Sequence, residues 1–173
     1  MKKYIIILFI FISILSCNNY KNDENIVISL GGEVATIDPH LNTANIGTVY
    51  IRHFFEGLMK KDKDGKIIPG MAERYEMSDD GLVYTFYLRT NAKWSDGKNF
   101  TADDFLYSYR RFVDPKTAAP YGHLMKPIKN ALKITKGEIP VEELGIKKID
   151  DYTLEITLEN PTAYFLELAD MYL

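Results

Sequence analysis

The sequence predicts a mixed α/β fold. Three observations carry that expectation. Two stretches alternate apolar and polar residues in pairs joined by short turns, as hairpins do. Between them lies one strongly amphipathic helix with start and stop signals at its ends. The composition, 46% hydrophobic and 13% aromatic over 173 residues, is ample for a packed core of about one domain.

In chain order, Ile26 to Leu30 reads as a short apolar strand closed by Gly31-Gly32. Gly47 to Met59 reads as a helix with Tyr50, Phe54 and Leu58 on one stripe and Gly57 near its end. Asp64-Gly65 turns the chain and Pro69-Gly70 punctuates it again. Ala72 to Met77, the turn Ser78-Asp79-Asp80-Gly81 and Leu82 to Arg89 form the first hairpin.

The stretch AKWSDGKNFTADDFLYSYRRF, residues 92–112, is dense in carboxylates, so acid–base chemistry must be weighed there. Local structure accounts for them instead. Ser95 to Lys98 is turn chemistry. Thr101 with Asp104 is a capping box, Asp103 and Asp104 suit the positive end of a helix dipole, and Arg110 and Arg111 suit its negative end. Phe105, Tyr109 and Phe112 form the buried stripe, with Leu106 and Val113 alongside, and Pro115 ends the helix. Trp94 reads as scaffold, and its loss would cost about 3–5 kcal/mol if the indole is buried.

Beyond this helix, Asp114 to Pro140 is weakly patterned. Ile146 to Ile149, Asp150-Asp151 and Tyr152 to Glu159 make the second hairpin, with Tyr152, Leu154, Ile156 and Leu158 on its buried face. Pro161-Thr162 opens a final helical segment carrying Tyr164, Phe165, Leu168 and Tyr172.

The first residues read as an address. Met1-Lys2-Lys3 is a charged start, Tyr4 to Leu15 is apolar apart from Ser13, and Ser16-Cys17 follows at once. That run is shorter than the roughly 20 residues a membrane span needs. Cys17 is the single cysteine, which rules out an intramolecular disulfide. Its place after a small residue resembles a bacterial lipobox, in which the cysteine is lipidated; Leu15 departs from the smaller residue usual two places before it. The competing reading is an uncleaved signal anchor with an incidental thiol. Residues 18–25 are polar and suit a tether. Loss of Lys2 and Lys3 with the signal takes the net charge from −3 to −5, which offers no basic patch for nucleic acid.

Site constellations are few. His40, His53 and His123 share no metal-ligand spacing. Asp62 to Gly65 lacks the glycine position and distal glutamate of a calcium loop and reads as a turn. No nucleophile elbow, phosphate loop or dinucleotide fingerprint occurs, so neither catalysis nor a cofactor is expected.

Several segments resemble, in order, the opening of the extracellular solute-binding proteins of family 5, the peptide/nickel group that feeds ABC importers. They are ATIDPH (35–40), FEGLM (55–59), PGMAERYE (69–76), YTFYLRTNAKWSDGKNFTADDFLYSYRRFVDP (84–115), TAAPY (117–121) and LEITLENPTAYF (154–165). The resemblance implies the N-terminal part of a two-lobed periplasmic-binding-protein-like fold. It implies these divisions: a lipoprotein signal at 1–17, a tether at 18–25, the first part of a ligand-binding lobe at 26–55, and an additional α/β domain at 56–173. The second lobe is not represented.

The same resemblance implies a lipid-anchored oligopeptide-binding subunit on the periplasmic or extracellular face of the membrane, working with ABC permease subunits. Leu41 to Ile46 matches the stretch that runs beside the bound peptide, so Thr43, Ala44 and Asn45 are candidate ligand contacts through backbone pairing. Tyr121 matches an aromatic at the cleft, while His40 and Arg52 read as supports. Two alternatives stay open: a signalling or adhesion lipoprotein on the same scaffold, and a nickel- or haem-binding member.

Overall fold

The computed structural model describes Ser29 and residues 31–171. The chain divides into two compact units, Met1–Gly31 and Gly32–Leu173, and the architecture below is that of the second. The expected lipidation site, Cys17, lies outside the described residues, as do the expected strand Ile26 to Leu30 apart from Ser29 and the last part of the expected terminal helix.

The two expected hairpins are β3 (Ala72–Met77) with β4 (Val83–Leu88), and β5 (Ile146–Asp150) with β6 (Thr153–Thr157). They merge into one antiparallel four-stranded sheet of order β3-β4-β6-β5. The central seam pairs Tyr84 with Ile156 and Phe86 with Leu154, so the buried side chains of both hairpins fall on one face. A smaller hairpin, β1 (Met59–Lys61) with β2 (Ile67–Pro69), is turned by the expected Asp62 to Gly65 stretch, where Asp62 Oδ1 accepts the Asp64 and Lys66 N–H groups at 2.9 Å.

The principal helix, α2 (Ala102–Val113), lies over β5 and β6 and buries Phe105, Tyr109 and Phe112 as its period requires. Its capping box forms: Asp104 Oδ2 accepts the Thr101 N–H at 2.7 Å. The weakly patterned stretch holds a 3-10 turn at Gly122–Met125 and a short helix, α3 (Ala131–Thr135). The terminal helix, α4, is only Phe165–Leu168; Phe165 is buried 4.7 Å from the Tyr84 ring, while Tyr164 stays exposed.

One helix differs from expectation. The segment expected as Gly47 to Met59 is α1 (Asn45–Phe54), and it buries Gly47 and Ile51, not the Tyr50 and Phe54 stripe. Phe54 is 66% exposed, and Leu58 is buried only beyond the helix, at the bend just before β1. Gly57 explains the early stop. A β-carbon there would stand 2.6 Å from the Ala169 carbonyl oxygen and 2.8 Å from that of Met171, so the chain passes hard against the end of α4 and cannot carry a helical turn of side chains.

Candidate functional site

The segment expected to meet a ligand sits between two local knots. In the first, Thr36 Oγ1 accepts the Asp38 N–H at 3.1 Å, Asp38 Oδ1 accepts the His40 N–H at 2.9 Å, and the Asp38 carbonyl accepts the N–H groups of Leu41 and Asn42 at 3.2 and 3.1 Å. The second is the buried Asn42 side chain. Its Nδ2 donates to the Ala44 carbonyl at 3.1 Å and to Thr48 Oγ1 at 3.0 Å, and its Oδ1 accepts the Ala44 N–H at 3.2 Å. Ala44, the N-cap of α1, has no side-chain oxygen, so Asn42 organises the helix start from two residues back. Gly47 is the room this needs: a β-carbon there would lie 2.0 Å from Asn42 Oδ1.

The first knot is fastened to α2. Arg111 donates to both carboxylate oxygens of Asp38, at 3.0 and 2.6 Å, the bidentate geometry in which guanidinium binds most firmly. His40 lies buried between Ser108 Oγ, 3.1 Å from its Nε2, and the Arg111 guanidinium at its Nδ1, with its ring 5.2 Å from Phe112. The Arg111 hydrogen bonds hold the Asp38 carboxyl below its usual range. Burial, reinforced by the Arg111 charge, pushes the His40 imidazole down to about 4.

This His40, Ser108 and Asp38 grouping has the membership of a hydrolytic triad and the wrong wiring. A guanidinium can only donate, so Nδ1 of the neutral imidazole must accept and Nε2 must carry the proton. Nε2 therefore donates to Ser108 and has no lone pair with which to take that hydroxyl's proton. The cluster is a clasp between a loop and a helix. It carries out the supporting role read for His40.

Thr43, Ala44 and Asn45 are all exposed, Thr43 and Ala44 on the loop between the clasp and α1 and Asn45 as the first residue of α1 itself. Ala44 has its N–H and carbonyl committed to Asn42 and Thr48. Among the described residues, the Thr43 main chain enters no hydrogen bond. Tyr121 is exposed at the head of the 3-10 turn, where its carbonyl accepts the Leu124 N–H at 2.9 Å. Arg52, read as a support, reaches Asp170 at 3.7 Å.

Two cavities flank this region. One, of about 700 Å³, is bounded by the clasp together with Phe55, Trp94, Phe100 and Tyr107. The other, of about 430 Å³, shares Phe55, Trp94 and Phe100 and continues to Phe54 and Lys93. Trp94 is thus a cavity wall, 38% exposed, so the condition of a buried indole is not met. The reason is its indole N–H, which donates to Asp104 Oδ1 at 3.1 Å, while the ring rests on Phe100 at 5.2 Å. Asp104 accordingly serves Trp94 as well as Thr101, and the sequence pattern pointed only to the cap.

Residues 66–173 match the family described as bacterial extracellular solute-binding proteins, family 5 Middle. The periplasmic oligopeptide-binding protein OppA of Escherichia coli K12 is 44% identical over 147 residues, 84% of this chain and 27% of that protein. A probable deoxycholate-binding periplasmic protein, YgiS, of the same strain is 44% identical over 132 residues, 75% of this chain and 25% of that protein. Among solved structures, Listeria monocytogenes OppA bound to peptide superposes with a TM-score of 0.78 at 45% identity, covering 80% of this chain and 27% of that one. The chain therefore spans about a quarter of the length of the relatives it matches.

Proposed function

From a chain that belongs to the bacterial extracellular solute-binding proteins, family 5, we propose a specific role: part of the oligopeptide-binding subunit of an ABC importer, which captures peptides outside the cytoplasmic membrane and delivers them to permease subunits. The observation that carries this reading is the 45% identity and 0.78 TM-score to a relative whose solved structure holds a peptide. The geometry supports it. The stretch from Thr43 to the first residue of α1, Asn45, is exposed, held at both ends, and offers the main chain of Thr43 to an extended ligand. Main-chain pairing is indifferent to side-chain identity, which suits a carrier of many peptides. In this reading Tyr121, which is exposed, contributes an aromatic ligand contact, and residues 56–173 correspond to the additional α/β domain of the peptide-binding group.

A second reading, capture of a small amphiphile, draws on the 44% identity to the probable deoxycholate-binding protein. Calorimetric titration of the product of the complete reading frame that holds this chain separates the two. Micromolar heats with a pool of di- to pentapeptides and none with deoxycholate are the expected result; the reverse would transfer the assignment to the amphiphile.

Cys17 completes the proposal as the acylated residue that holds the protein at the membrane. One acyl chain binds a bilayer only reversibly and several chains bind it stably. Cys17→Ser is expected to release the protein from the membrane fraction of expressing bacteria. Unchanged partitioning would remove the anchor from the account while leaving the peptide site standing.

A further inference from the structure

We propose that the depression bounded by Lys126, Lys133, Leu132 and Tyr164 is a docking surface for an anionic phospholipid bilayer. It is a concavity of about 400 Å³ between the turn preceding α3, α3 itself and the segment leading into α4, remote in sequence from the loop at Thr43 to Asn45. The charge in this part of the chain is one-sided. From Pro115 to Gly137 the sequence has five lysines and no carboxylate, in a protein whose net charge is −3.

Of these lysines, Lys136 is paired with Glu138 at 4.0 Å, whereas the two that line the depression are left unneutralised by the fold. Among the described residues Lys60, Lys61, Lys63, Lys98 and Lys148 each lie within ion-pair distance of a carboxylate, whereas neither Lys126 nor Lys133 does. Both are exposed. Glu159 is the one carboxylate lining the depression, and it accepts the Asn130 N–H at 3.2 Å, which orients it toward the loop backbone.

Leu132, 50% exposed, and Tyr164, 49% exposed, decide the class of partner. A soluble anion would use the two ammonium groups and leave an aliphatic and an aromatic side chain in water. A bilayer surface uses all four: headgroup phosphates meet the lysines, Leu132 enters the acyl boundary, and the Tyr164 ring takes the interfacial position tyrosines favour. The two lysines together shift docking by about 25-fold, since each basic group close to an anionic surface contributes roughly fivefold. The surface depends neither on the peptide reading nor on lipidation of Cys17.

The test reads contact at the surface itself. The full chain carrying Leu132→Trp is mixed with vesicles of brominated phosphatidylcholine, with or without phosphatidylglycerol, and indole quenching is recorded, with the unsubstituted chain giving the Trp94 background. Quenching that requires phosphatidylglycerol is expected. Lys126→Gln with Lys133→Gln should lower the docked-to-undocked ratio by about 25-fold, with an unchanged circular-dichroism melt. Lys98→Gln, at a lysine already paired with Asp96 at 2.9 Å, should leave it unchanged. Equal quenching on neutral vesicles, or no response to the double substitution, would overturn the proposal. So would full competition by free glycerol phosphate, which would make the site one for a soluble anion.

Discussion

Arg111 and Asp38, 73 residues apart in the chain, meet through two parallel hydrogen bonds of 3.0 and 2.6 Å, and the same guanidinium also donates to His40. The loop that precedes Thr43 is therefore positioned by α2 as well as by its own turn hydrogen bonds. Arg111→Ala leaves a carboxylate and an imidazole nitrogen without their donor, and is expected to destabilise by about 1–3 kcal/mol in urea denaturation. Arg111→Lys should recover little of that, because a single ammonium cannot bridge both carboxylate oxygens.

The clasp also makes the protein acid-sensitive. His40 titrates near 4 when folded against an ordinary value of 6.5, so between those values the unfolded chain binds the extra proton and the folded one does not. Stability should be full above about pH 6.5 and fall as the pH drops toward 4. The depressed Asp38 carboxyl adds to the loss at still lower pH, as it is protonated. The His40 contribution is on the order of 3 kcal/mol, at about 1.4 kcal/mol for each pH unit between those two values. Urea midpoints measured across this range check it: His40→Gln should flatten the slope above pH 4, and an unchanged slope would mean that another group carries the sensitivity.

At the start of α2, Asp104 takes both the Thr101 N–H and the Trp94 indole N–H. Asp104→Ala should cost about 2 kcal/mol, the sum of two hydrogen bonds of roughly 1 kcal/mol each, whereas Thr101→Ala should cost about 1 kcal/mol. Trp94→Ala should fall below the 3–5 kcal/mol of a buried aromatic, since the ring is 38% exposed. Thermal melts of the three variants give the order.

The parts of this fold that were legible in the sequence are those set by residues a few positions apart. The cap at Thr101 and Asp104, the 3.6-residue stripe through Phe105, Tyr109 and Phe112, and both hairpin turns are of this kind. The pairing of β4 with β6 joins residues about 70 positions apart and leaves no periodic trace. The phase of α1 was misread because Gly47, the residue under Asn42, has no apolar side chain to mark the buried face. Thr43 to Asn45 were singled out through the family resemblance, while the knots that hold this stretch were not anticipated. Asn42, Ser108 and Arg111 act through contacts with partners that local composition does not reveal.

The central claim is that this chain offers a peptide its backbone at Thr43. Peptide titration calorimetry on the product of the complete reading frame, comparing Thr43→Pro with Thr43→Ala, tests it most directly. Proline removes the N–H and alanine keeps it, so Thr43→Pro should weaken peptide binding by about fivefold while Thr43→Ala leaves it unchanged. Equal affinities for the two variants, with matching melts, would contradict the account.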